Sequence, residues 1–299
     1  MNGVLCIDKP TDYTSFDVVA VCRRLCNTRK IGHAGTLDPN ATGVLPILVG
    51  TAAKALSFLP SHEKEYEAKF ITGIVTSTGD IWGEKLQDVP QSVDITEVEQ
   101  VLPDFEGDII QTPPMVSAIR INGKRLYEYA REGKSVDVPP RAVTVSELRL
   151  TGGGGHEFSL YCRCSAGTYI RSIITDIGER LGCGATMSYL RRTRACGIHI
   201  DSCITLGEAR VLTADGLLYG KITPVDSLLQ DYPAVYVSAA QFERFLHGGW
   251  LDLARIPSMP DSERVRVYSP NGDFAGLGHV DGDTAQLAVL RLFMSPDPR

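Results

Sequence analysis

The 299-residue sequence lacks the cysteine spacing that holds many small domains together. Its eight cysteines are scattered and none forms a CxxC pair, so neither a zinc ribbon nor a disulfide framework is expected. No apolar run approaches the length of a membrane span, and the opening residues MNGVLCIDKP are interrupted by Asp8 and Lys9, unlike a secretory signal. These absences predict a reduced cytoplasmic protein with no membrane association and no structural metal.

An excess of positive charge is also missing. The formal net charge is −6, which at first argues against a polyanionic partner. The charge is unevenly distributed, however, because residues 120–141 carry a net +3 and residues 160–200 a net +4 on an otherwise acidic chain. Local basic surface on an acidic body is typical of a protein that binds a phosphate backbone at one face, although solvated helix faces give the same pattern.

The order of the predicted elements favours an α+β sheet over a doubly wound one, because most predicted strands are adjacent in sequence and helices lie between groups of strands. A strand over residues 3–10 precedes a helix capped at residues 14–15, with Phe16, Val19 and Leu25 at helical spacing. The 299 residues allow one large domain plus a small one, or two of middling size.

The middle of the chain alternates between strand and helix patterns. Tyr66, Ala68 and Phe70 alternate as in a half-buried strand, and Asn122-Gly123 predicts a hairpin that leads into a short amphipathic helix. Two further helices are predicted before this region, a short one from residue 51 that is stopped by Pro60 and one at 96–102. After it, two strands surround a four-glycine loop at 141–165, and a helix that ends at Gly182 is followed by a loop and a strand at 187–200. From residue 232 the sequence predicts a compact module of short strands.

The stretch GHAGTLDPNATGVLPILVG, residues 32–50, holds a single carboxylate, Asp38, between a glycine-rich approach and Pro39. Asp-Pro followed by Asn is ordinary turn chemistry, because Asx side chains bond their own backbone and proline presets φ. The turn alone therefore predicts a surface loop ahead of a buried strand.

Read together with three further motifs, this stretch resembles the bacterial TruB family of tRNA pseudouridine synthases. The other motifs are IDKPTDYTS (residues 7–15), KEYEA (64–68) and GTYIRSIITDIGERLGCGATMSYLRRT (167–193). The resemblance covers roughly residues 1–230 and implies a catalytic domain with the pseudouridine synthase fold, a mixed and largely antiparallel sheet flanked by helices. Residues 231–299 more loosely resemble a PUA domain, an RNA-binding β module.

The resemblance implies that the protein converts uridine 55 in the T loop of tRNAs to pseudouridine, with Asp38 as the catalytic residue. The C1′–N1 bond breaks, the uracil turns and C5 bonds to C1′, so nothing is oxidised and neither cofactor nor metal is expected. The ionised carboxylate either attacks C1′ or removes the 2′ proton. Gly35, Pro39 and Gly43 would hold it in a stiff turn.

Several other site residues follow from the resemblance. Arg171 matches the arginine that pairs with the catalytic acid, although an exposed helix arginine would fit the same pattern. Tyr66 matches the tyrosine that stacks on the extruded uracil, whereas alternation alone predicts a core aromatic. Tyr169 and Leu190 match pocket walls and His33 matches the histidine that braces the space left by the base; packing or structural hydrogen bonding are their alternatives.

Basic residues are expected around this site. Lys9 of the DKP motif lies near the substrate in the family, where phosphate contact and support of the turn are both open. Residues 120–142 fall where the family carries an insertion that closes over the RNA arm. The side chains expected to contact the RNA backbone are Lys124, Arg125, Arg131, Arg191, Arg192 and Arg194. The expected partner is the tRNA T arm, with no obligatory protein partner and a monomeric enzyme.

Two alternative functions remain open at this level. Guide-RNA-dependent pseudouridine synthases of archaea and eukaryotes share HAGTLDP-like and TYIR-like motifs, and a non-catalytic RNA-binding or RNA-folding factor could retain the scaffold. The KEYEA motif, the insertion and the lack of a basic tail disfavour the guided class. Intact Asp38, Tyr66 and Arg171 disfavour a non-catalytic factor.

Overall fold

The computed structural model describes residues 2–59, 63–89 and 92–294. Its strands are β1 (Gly3–Lys9), β2 (Ile31–His33), β3 (Thr42–Val49), β4 (Lys64–Thr72), β5 (Ile74–Thr76), β6 (Lys85–Asp88), β7 (Gly107–Gln111), β8 (Arg120–Ile121), β9 (Lys124–Arg125), β10 (Arg141–Gly154), β11 (Glu157–Cys164), β12 (Ala185–Ala195), β13 (Ile198–His199), β14 (Ile204–Thr205), β15 (Ile222–Thr223), β16 (Ala234–Tyr236), β17 (Leu251–Asp252), β18 (Arg264–Tyr268), β19 (Phe274–Asp281) and β20 (Gln286–Leu292). Its α-helices are α1 (Ser15–Leu25), α2 (Ile95–Val101), α3 (Leu126–Arg131), α4 (Ile170–Arg180), α5 (Leu206–Ala214) and α6 (Ala239–Leu246). Short 3-10 helices cover Gly50–Ala55, Leu102–Phe105, Ile200–Ser202, Leu218–Lys221, Val225–Leu228 and Leu253–Arg255.

A single mixed sheet organises most of the described residues. Its main path runs β14–β1–β3–β12–β4–β11–β10–β7, with β2, β13 and β15 paired at its sides. Most neighbours are antiparallel, and the β1–β14 and β3–β12 pairs are parallel. The expected α+β class, a largely antiparallel sheet flanked by helices, is confirmed.

Strand β4 lies at the centre of this sheet and follows the alternation of its sequence. Tyr66, Ala68 and Phe70 are buried on one face, and Phe70 stacks on Phe158 of β11 with ring centroids 5.3 Å apart. Helix α4 covers this face with a row of buried isoleucines that includes Ile173. The KEYEA segment therefore belongs to the best-packed part of the molecule.

Helix α1 begins where the sequence predicts. Thr14 caps it, and Asp17 returns a hydrogen bond to the Thr14 backbone in a capping box. The prediction for its apolar face is wrong at Phe16, whose side chain is exposed against the Arg23 guanidinium. Val18 and Val19 occupy the buried face instead, because the helix packs against β1 and β3 through that side.

The hairpin and the helix after it are confirmed. Asn122 and Gly123 both have positive φ, 52° and 81°, as a two-residue hairpin turn between β8 and β9 requires. Helix α3 follows directly. The two predicted strands, β10 and β11, are paired, but the expected four-glycine loop is shorter, because Gly152, Gly153 and Gly154 belong to β10 and pair with β11.

Other segments differ from the sequence-based prediction. The segment after β3 is a 3-10 helix over Gly50–Ala55, and the predicted stop at Pro60 lies outside the described residues. Residues 185–195 form one continuous strand, β12, where a loop followed by a strand was expected over residues 187–200. Helices α5 and α6 were not predicted. Both carry complete capping boxes, from Thr205 to Glu208 and from Ser238 to Gln241, which the sequence already contained.

The last part of the chain forms a second sheet in the order β16–β18–β19–β20–β17, with α6 packed on it. It meets the main sheet in a shared apolar cluster that contains Val4, Leu48, Leu277 and Phe293. The Thr51 hydroxyl also donates to the Phe293 carbonyl at 2.7 Å. Across the described ranges, no helix is both long and apolar enough to cross a membrane.

Candidate active site

Asp38 lies in the loop between β2 and β3, and α1 fixes the loop from one side. The Ser15 hydroxyl donates to the Leu37 carbonyl at 3.1 Å and accepts from the Leu37 amide at 2.9 Å. Gly35 has φ of 98°, in a region that favours glycine. A buried hydroxyl at the helix start therefore sets the backbone position of the residue next to Asp38.

Arg192 holds the same loop from the sheet side. Its side chain is 0% exposed, and its guanidinium donates to the carbonyls of Val44, Thr36 and Gly35 at 2.9, 3.3 and 3.1 Å. The expectation that Arg192 contacts the RNA backbone is therefore wrong in this structure, because every face of the guanidinium is covered and its donors are used inside the protein. Its neighbour Arg194 is exposed and pairs with Glu65 at 3.2 Å.

Lys9, at the end of β1, supports the Asp38 loop through its side chain. Its ammonium group is buried and donates to the carbonyls of Pro39 and Pro10, both at 2.8 Å. Burial lowers the pKa of Lys9 to about 8, and the charge of Asp38 opposes this shift. Of the two expectations for Lys9, this geometry matches support of the turn, while contact with a substrate phosphate would require the ammonium to leave both carbonyls.

Arg171 joins two carboxylates that are far apart in sequence. Its Nη2 lies 3.0 Å from Asp38 Oδ2, and its Nη1 lies 3.8 Å from Asp80 Oδ2. The guanidinium also donates to the carbonyls of Thr78 at 3.0 Å and Val116 at 2.8 Å. The side chain is only 3% exposed, so the alternative of an exposed helix arginine does not hold.

The electrostatic environment of Asp38 contains opposing contributions. Burial raises the pKa of Asp38 above its ordinary value, Arg171 and Lys9 lower it, and the like charge of Asp80 raises it again. The Asp38 side chain remains 36% exposed, so one side of the carboxylate is open while the other faces Arg171. The result is an oriented acid whose ionisation depends on its arginine.

Tyr66 and Leu190 lie in the apolar cluster that also contains Leu37, the residue before Asp38. Tyr66 is 6% exposed, and burial raises the pKa of its hydroxyl to about 12. The ring is therefore a neutral phenol packed beneath the Asp38 loop. This burial matches the expectation of a core aromatic, whereas stacking on a base would require the Tyr66 ring to be uncovered.

Tyr169 precedes α4 and is positioned by Gln111 of β7. The Tyr169 amide donates to Gln111 Oε1 at 2.7 Å, and Gln111 Nε2 donates to the Tyr169 carbonyl at 3.0 Å. The Arg141 guanidinium lies 5.0 Å from the centre of the Tyr169 ring. These two hydrogen bonds fix the backbone of Tyr169, the N-cap residue of α4, two residues before Arg171.

His33 ends β2 opposite Ile47 and is half-buried. Burial lowers its pKa, and the charges of Arg192 and Arg125 add to this, so the imidazole is neutral at pH 7. Within the described part of the chain, its Nδ1 is buried without a hydrogen-bond partner.

The remaining basic residues fall into two places. Arg191 pairs with Asp8 at 2.8 Å and lines a cavity of about 360 Å³ beside Lys9 and Arg210. The hairpin and α3 carry the other three: Lys124 pairs with Glu132, and Arg125 and Arg131 both lie against the half-buried Tyr127 ring.

Three residues of this site were not singled out from the sequence. Asp80 follows a Gly in the ordinary turn STGDIWG, Gln111 ends an edge strand, and Ser15 was assigned only to a helix cap. Each acts through a partner at least 22 residues away, as in the Ser15–Leu37 contact. No local pattern marks such a partner.

The arrangement suits proton transfer or nucleophilic attack by a single carboxylate. One oxygen of Asp38 faces a cation and the group is partly open, while Lys9, Ser15 and Arg192 hold its loop from three sides. Among the residues that the structure describes, no cluster of three or more His, Cys, Asp or Glu side chains could hold a metal ion.

Two solved structures share this fold over nearly the whole chain. The chain superposes with a TM-score of 0.73 on a protein in a Cbf5-Nop10-Gar1 complex, at 28% identity, covering 99% of this chain and 86% of the other. A chain of an H/ACA RNP bound to a substrate RNA containing 2'-deoxyuridine gives 0.73 at 26% identity with the same coverage. Fold and site therefore define a pseudouridine synthase.

Sequence comparison specifies the family. Residues 23–170 match the N-terminal domain of the TruB family pseudouridylate synthases, residues 171–230 match the tRNA pseudouridylate synthase B C-terminal domain, and residues 233–293 match the C-terminal part of pseudouridine synthase II TruB. The chain belongs to the TruB family.

Curated relatives align over nearly their full length. The tRNA pseudouridine synthase B of Pseudomonas fluorescens (strain Pf0-1) is 41% identical over 298 residues, which is 99% of this chain and 96% of the relative. The protein of the same name from Limosilactobacillus reuteri (strain DSM 20016) is 35% identical, with 98% and 99% covered.

Proposed function

We propose that this protein isomerises uridine 55 in the T loop of tRNAs to pseudouridine, with Asp38 as the catalytic residue. The observation that carries the proposal is the Asp38–Arg171 pair, a partly open carboxylate 3.0 Å from a buried guanidinium at a loop with three internal supports. Membership of the TruB family and the names of its relatives support tRNA as the substrate.

In the proposed mechanism the target uridine leaves its stack and enters beside Asp38. The ionised carboxylate acts at the ribose, either at C1′ or at the 2′ proton, while Arg171 keeps it charged and oriented. Tyr66, Tyr169 and Leu190 form the walls within which the detached uracil turns, and His33 braces the space that the base leaves. The reaction is an isomerisation, so the proposal includes no cofactor and no metal.

Base entry requires a movement near Arg171. Tyr66 is buried, and the Val116 carbonyl that accepts from Arg171 belongs to the segment leading into the β8–β9 hairpin. Ser117 of this segment is buried as well. We therefore propose that residues 113–119, whose Val116 carbonyl accepts from Arg171, shift when RNA binds.

The proposed RNA surface lies around this entrance. The hairpin and α3 supply Lys124, Arg125 and Arg131, and Arg191 adds a contact beside its cavity, whereas Arg192 stays inside. Residues 1–230 are the proposed catalytic domain, with the insertion at about 120–142, and residues 231–299 the PUA-like RNA-binding domain. We place the enzyme in the cytoplasm, where free cysteines and tRNA coexist, as a monomer without an obligatory protein partner.

The test is incubation of the purified chain with an unmodified tRNA transcript, without added protein or guide RNA, followed by mapping of pseudouridine. We expect modification at position 55 alone. Asp38→Asn should abolish product while tRNA affinity stays within a few-fold, because the amide keeps the shape and loses the charge. Product formed by Asp38→Asn would remove Asp38 from the catalytic role.

A second candidate is guide-RNA-dependent modification, which the structural similarity to the Cbf5-Nop10-Gar1 and H/ACA RNP chains favours. The same assay separates the two. Product from the chain alone supports the stand-alone enzyme, whereas product only after addition of a guide RNA and partner proteins supports the guided class.

A further inference from the structure

An exposed tryptophan lies in the turn that carries Asp80, the second carboxylate beside Arg171. Trp82 follows Asp80 by two residues in the turn between β5 and β6, and its side chain is 51% exposed with the exposed Ile81 beside it. The Trp82 amide donates to Asp80 Oδ1 at 3.2 Å, and the other oxygen of Asp80 faces Arg171. One hydrogen bond and two ion pairs thus connect the Trp82 backbone to Asp38 through Asp80 and Arg171.

The turn that carries Trp82 is rigid. The Ile81 amide donates to the Met187 carbonyl at 2.9 Å, and the Met187 amide donates to the Gly79 carbonyl at 3.0 Å, so β12 pins both sides of Asp80. Gly83 closes the turn so tightly that an added Cβ would lie 2.3 Å from the Thr78 hydroxyl oxygen. An exposed aromatic side chain on such a support is held ready for a ligand rather than buried for stability.

The indole has a free face. The chain has two tryptophans, and the Arg244 guanidinium covers the other, Trp250, at 4.6 Å from the ring centroid. In the described residues no aromatic ring or cation stacks on Trp82 in the same way.

The charges near Trp82 select for a base rather than a phosphate. Asp80 is paired with Arg171, and the exposed Glu84 is followed by Lys85, which pairs with Asp88. These charges leave no excess of positive charge to attract a phosphate group. A nucleobase carries no charge and presents a π-face, which an indole binds by stacking. The turn is also linked to Asp38 through the contacts of Arg171 with Asp80 and with Asp38.

We infer that Trp82, flanked by Ile81, is a stacking platform for an unpaired base of the RNA substrate next to the nucleotide that enters beside Asp38. This inference rests on the proposed function, since it takes the RNA loop to be bound at the Asp38 entrance. The platform would hold the flanking nucleotide while the target base is out of the stack, and so favour the extruded state.

The first test measures the affinity of the full chain for a T-arm RNA stem-loop. Trp82→Ala should weaken binding by about 5- to 150-fold, the range for loss of one base–aromatic stack, while Trp82→Phe should stay within about threefold of the wild type. The matched control is Tyr219→Ala, which removes an exposed aromatic ring far along the chain from Asp38 and should leave affinity unchanged. Equal affinity of Trp82→Ala and wild type would overturn the inference.

A second test identifies the base and excludes a folding effect. Stem-loops with single abasic sites should bind wild type more weakly, and for one loop position the penalty of Trp82→Ala should disappear, because the stacked base is already absent. Trp250→Phe leaves Trp82 as the sole tryptophan, and its fluorescence should be quenched by the intact stem-loop and much less by that abasic RNA. A Trp82→Ala penalty that persists for every abasic position would contradict the inference.

The outcomes distinguish a failure of the stacking platform from a failure of the proposed function. If wild type forms no pseudouridine in any tRNA, the proposed activity is wrong whatever Trp82 does. If wild type is active but its Trp82 fluorescence and Trp82→Ala affinity do not respond as stated, the activity stands and the platform is wrong.

Discussion

At the scale of single residues, the ionisation of Asp38 depends on its two charged neighbours, Arg171 and Asp80. Asp38 and Asp80 repel each other, and Arg171 between them compensates both. The ionised form of Asp38 is stabilised mainly by the neighbouring cations, because burial weakens its stabilisation by water. The balance makes activity sensitive to pH and to substitution at either neighbour.

The first prediction concerns pH. Because the pKa of Asp38 is raised and its ionised form acts, the single-turnover rate should fall as pH drops through a value above that of an ordinary aspartate. Arg171→Met removes the opposing charge and should shift this acid limb to still higher pH, besides lowering the rate at its plateau. The measurement is a pH–rate profile with saturating enzyme. An acid limb unchanged by Arg171→Met would contradict the role of the pair.

The second prediction concerns Asp80, whose other oxygen also accepts from the Thr78 hydroxyl at 2.6 Å. Asp80→Asn removes a like charge from Asp38 and should move the acid limb to lower pH, opposite to Arg171→Met. It also loosens Arg171, and misplacement of a reacting group by about 1 Å costs about 100-fold in rate. A profile with a lower plateau and an acid-shifted limb supports the arrangement; a lower plateau alone means that Asp80 positions Arg171 without setting the pKa of Asp38.

At the scale of elements, the Asp38 loop depends on β12 as much as on its own turn residues. Arg192 lies in β12 and satisfies three loop carbonyls, while Lys9 at the end of β1 satisfies a fourth. Two buried cations therefore replace the backbone pairing that a loop between strands lacks.

The third prediction tests this role of Arg192. Arg192→Met leaves the carbonyls of Gly35, Thr36 and Val44 without their donor, at about 1–3 kcal/mol for each buried group, so the melting temperature and the activity should both fall. Arg194→Ala on the same strand removes an exposed arginine and should change the free energy of unfolding by less than about 1 kcal/mol. If Arg192 contacted RNA instead, its variant would keep its stability and show a smaller dependence of affinity on salt.

The fourth prediction concerns the hairpin and α3. If residues 113–119 shift and the basic hairpin closes on RNA, amide hydrogen exchange over residues 120–131 should slow when tRNA is added. Helix α2, whose Val98 packs in the buried cluster with Tyr66 and Phe70, provides the internal control. Its amides should exchange at an unchanged rate. Identical exchange of the hairpin with and without tRNA would contradict the closure.

At the scale of the whole molecule, the C-terminal sheet is packed against the main sheet rather than tethered to it. Phe293 stacks on Phe274 with centroids 5.5 Å apart, and both contact the cluster that contains Val4 and Leu48. The Tyr232 hydroxyl adds a hydrogen bond to the Phe58 carbonyl at 2.9 Å.

The fifth prediction follows from this shared cluster. Phe293→Ala should lower the free energy of unfolding by about 3–5 kcal/mol, the usual cost for a buried phenylalanine, and should lower the melting temperature of both parts of the chain. Leu86→Ala, at an exposed leucine, should stay within about 0.5 kcal/mol. Two separate thermal transitions, of which Phe293→Ala shifts only that of the C-terminal sheet, would mean that the two sheets unfold independently.

Much of the local structure could be read from residue patterns. The helix cap at Thr14, the Asn122-Gly123 turn and the alternation of Tyr66, Ala68 and Phe70 all appear in the structure as expected. These features depend on contacts within a few residues, so a short window contains their cause. Helix α6 shows that such a signal can also be overlooked, since its capping residues were present.

The candidate site was only partly accessible to the same reasoning. Asp38, Arg171, Tyr66 and Leu190 were chosen through the resemblance and do come together around one loop. Asp80 was missed, because its partner Arg171 is more than 90 positions away and nothing in a turn predicts it.

By itself the sequence determined the turns, the helix caps, the alternating strand faces and the membership of a family. The tertiary structure alone decided which charged side chains are inside: Arg191 remains half-exposed while Arg192, one position along β12, is completely buried. The physical reason is that a cation can be buried only where acceptors surround it. Those acceptors come from segments that meet only after the sheet has formed.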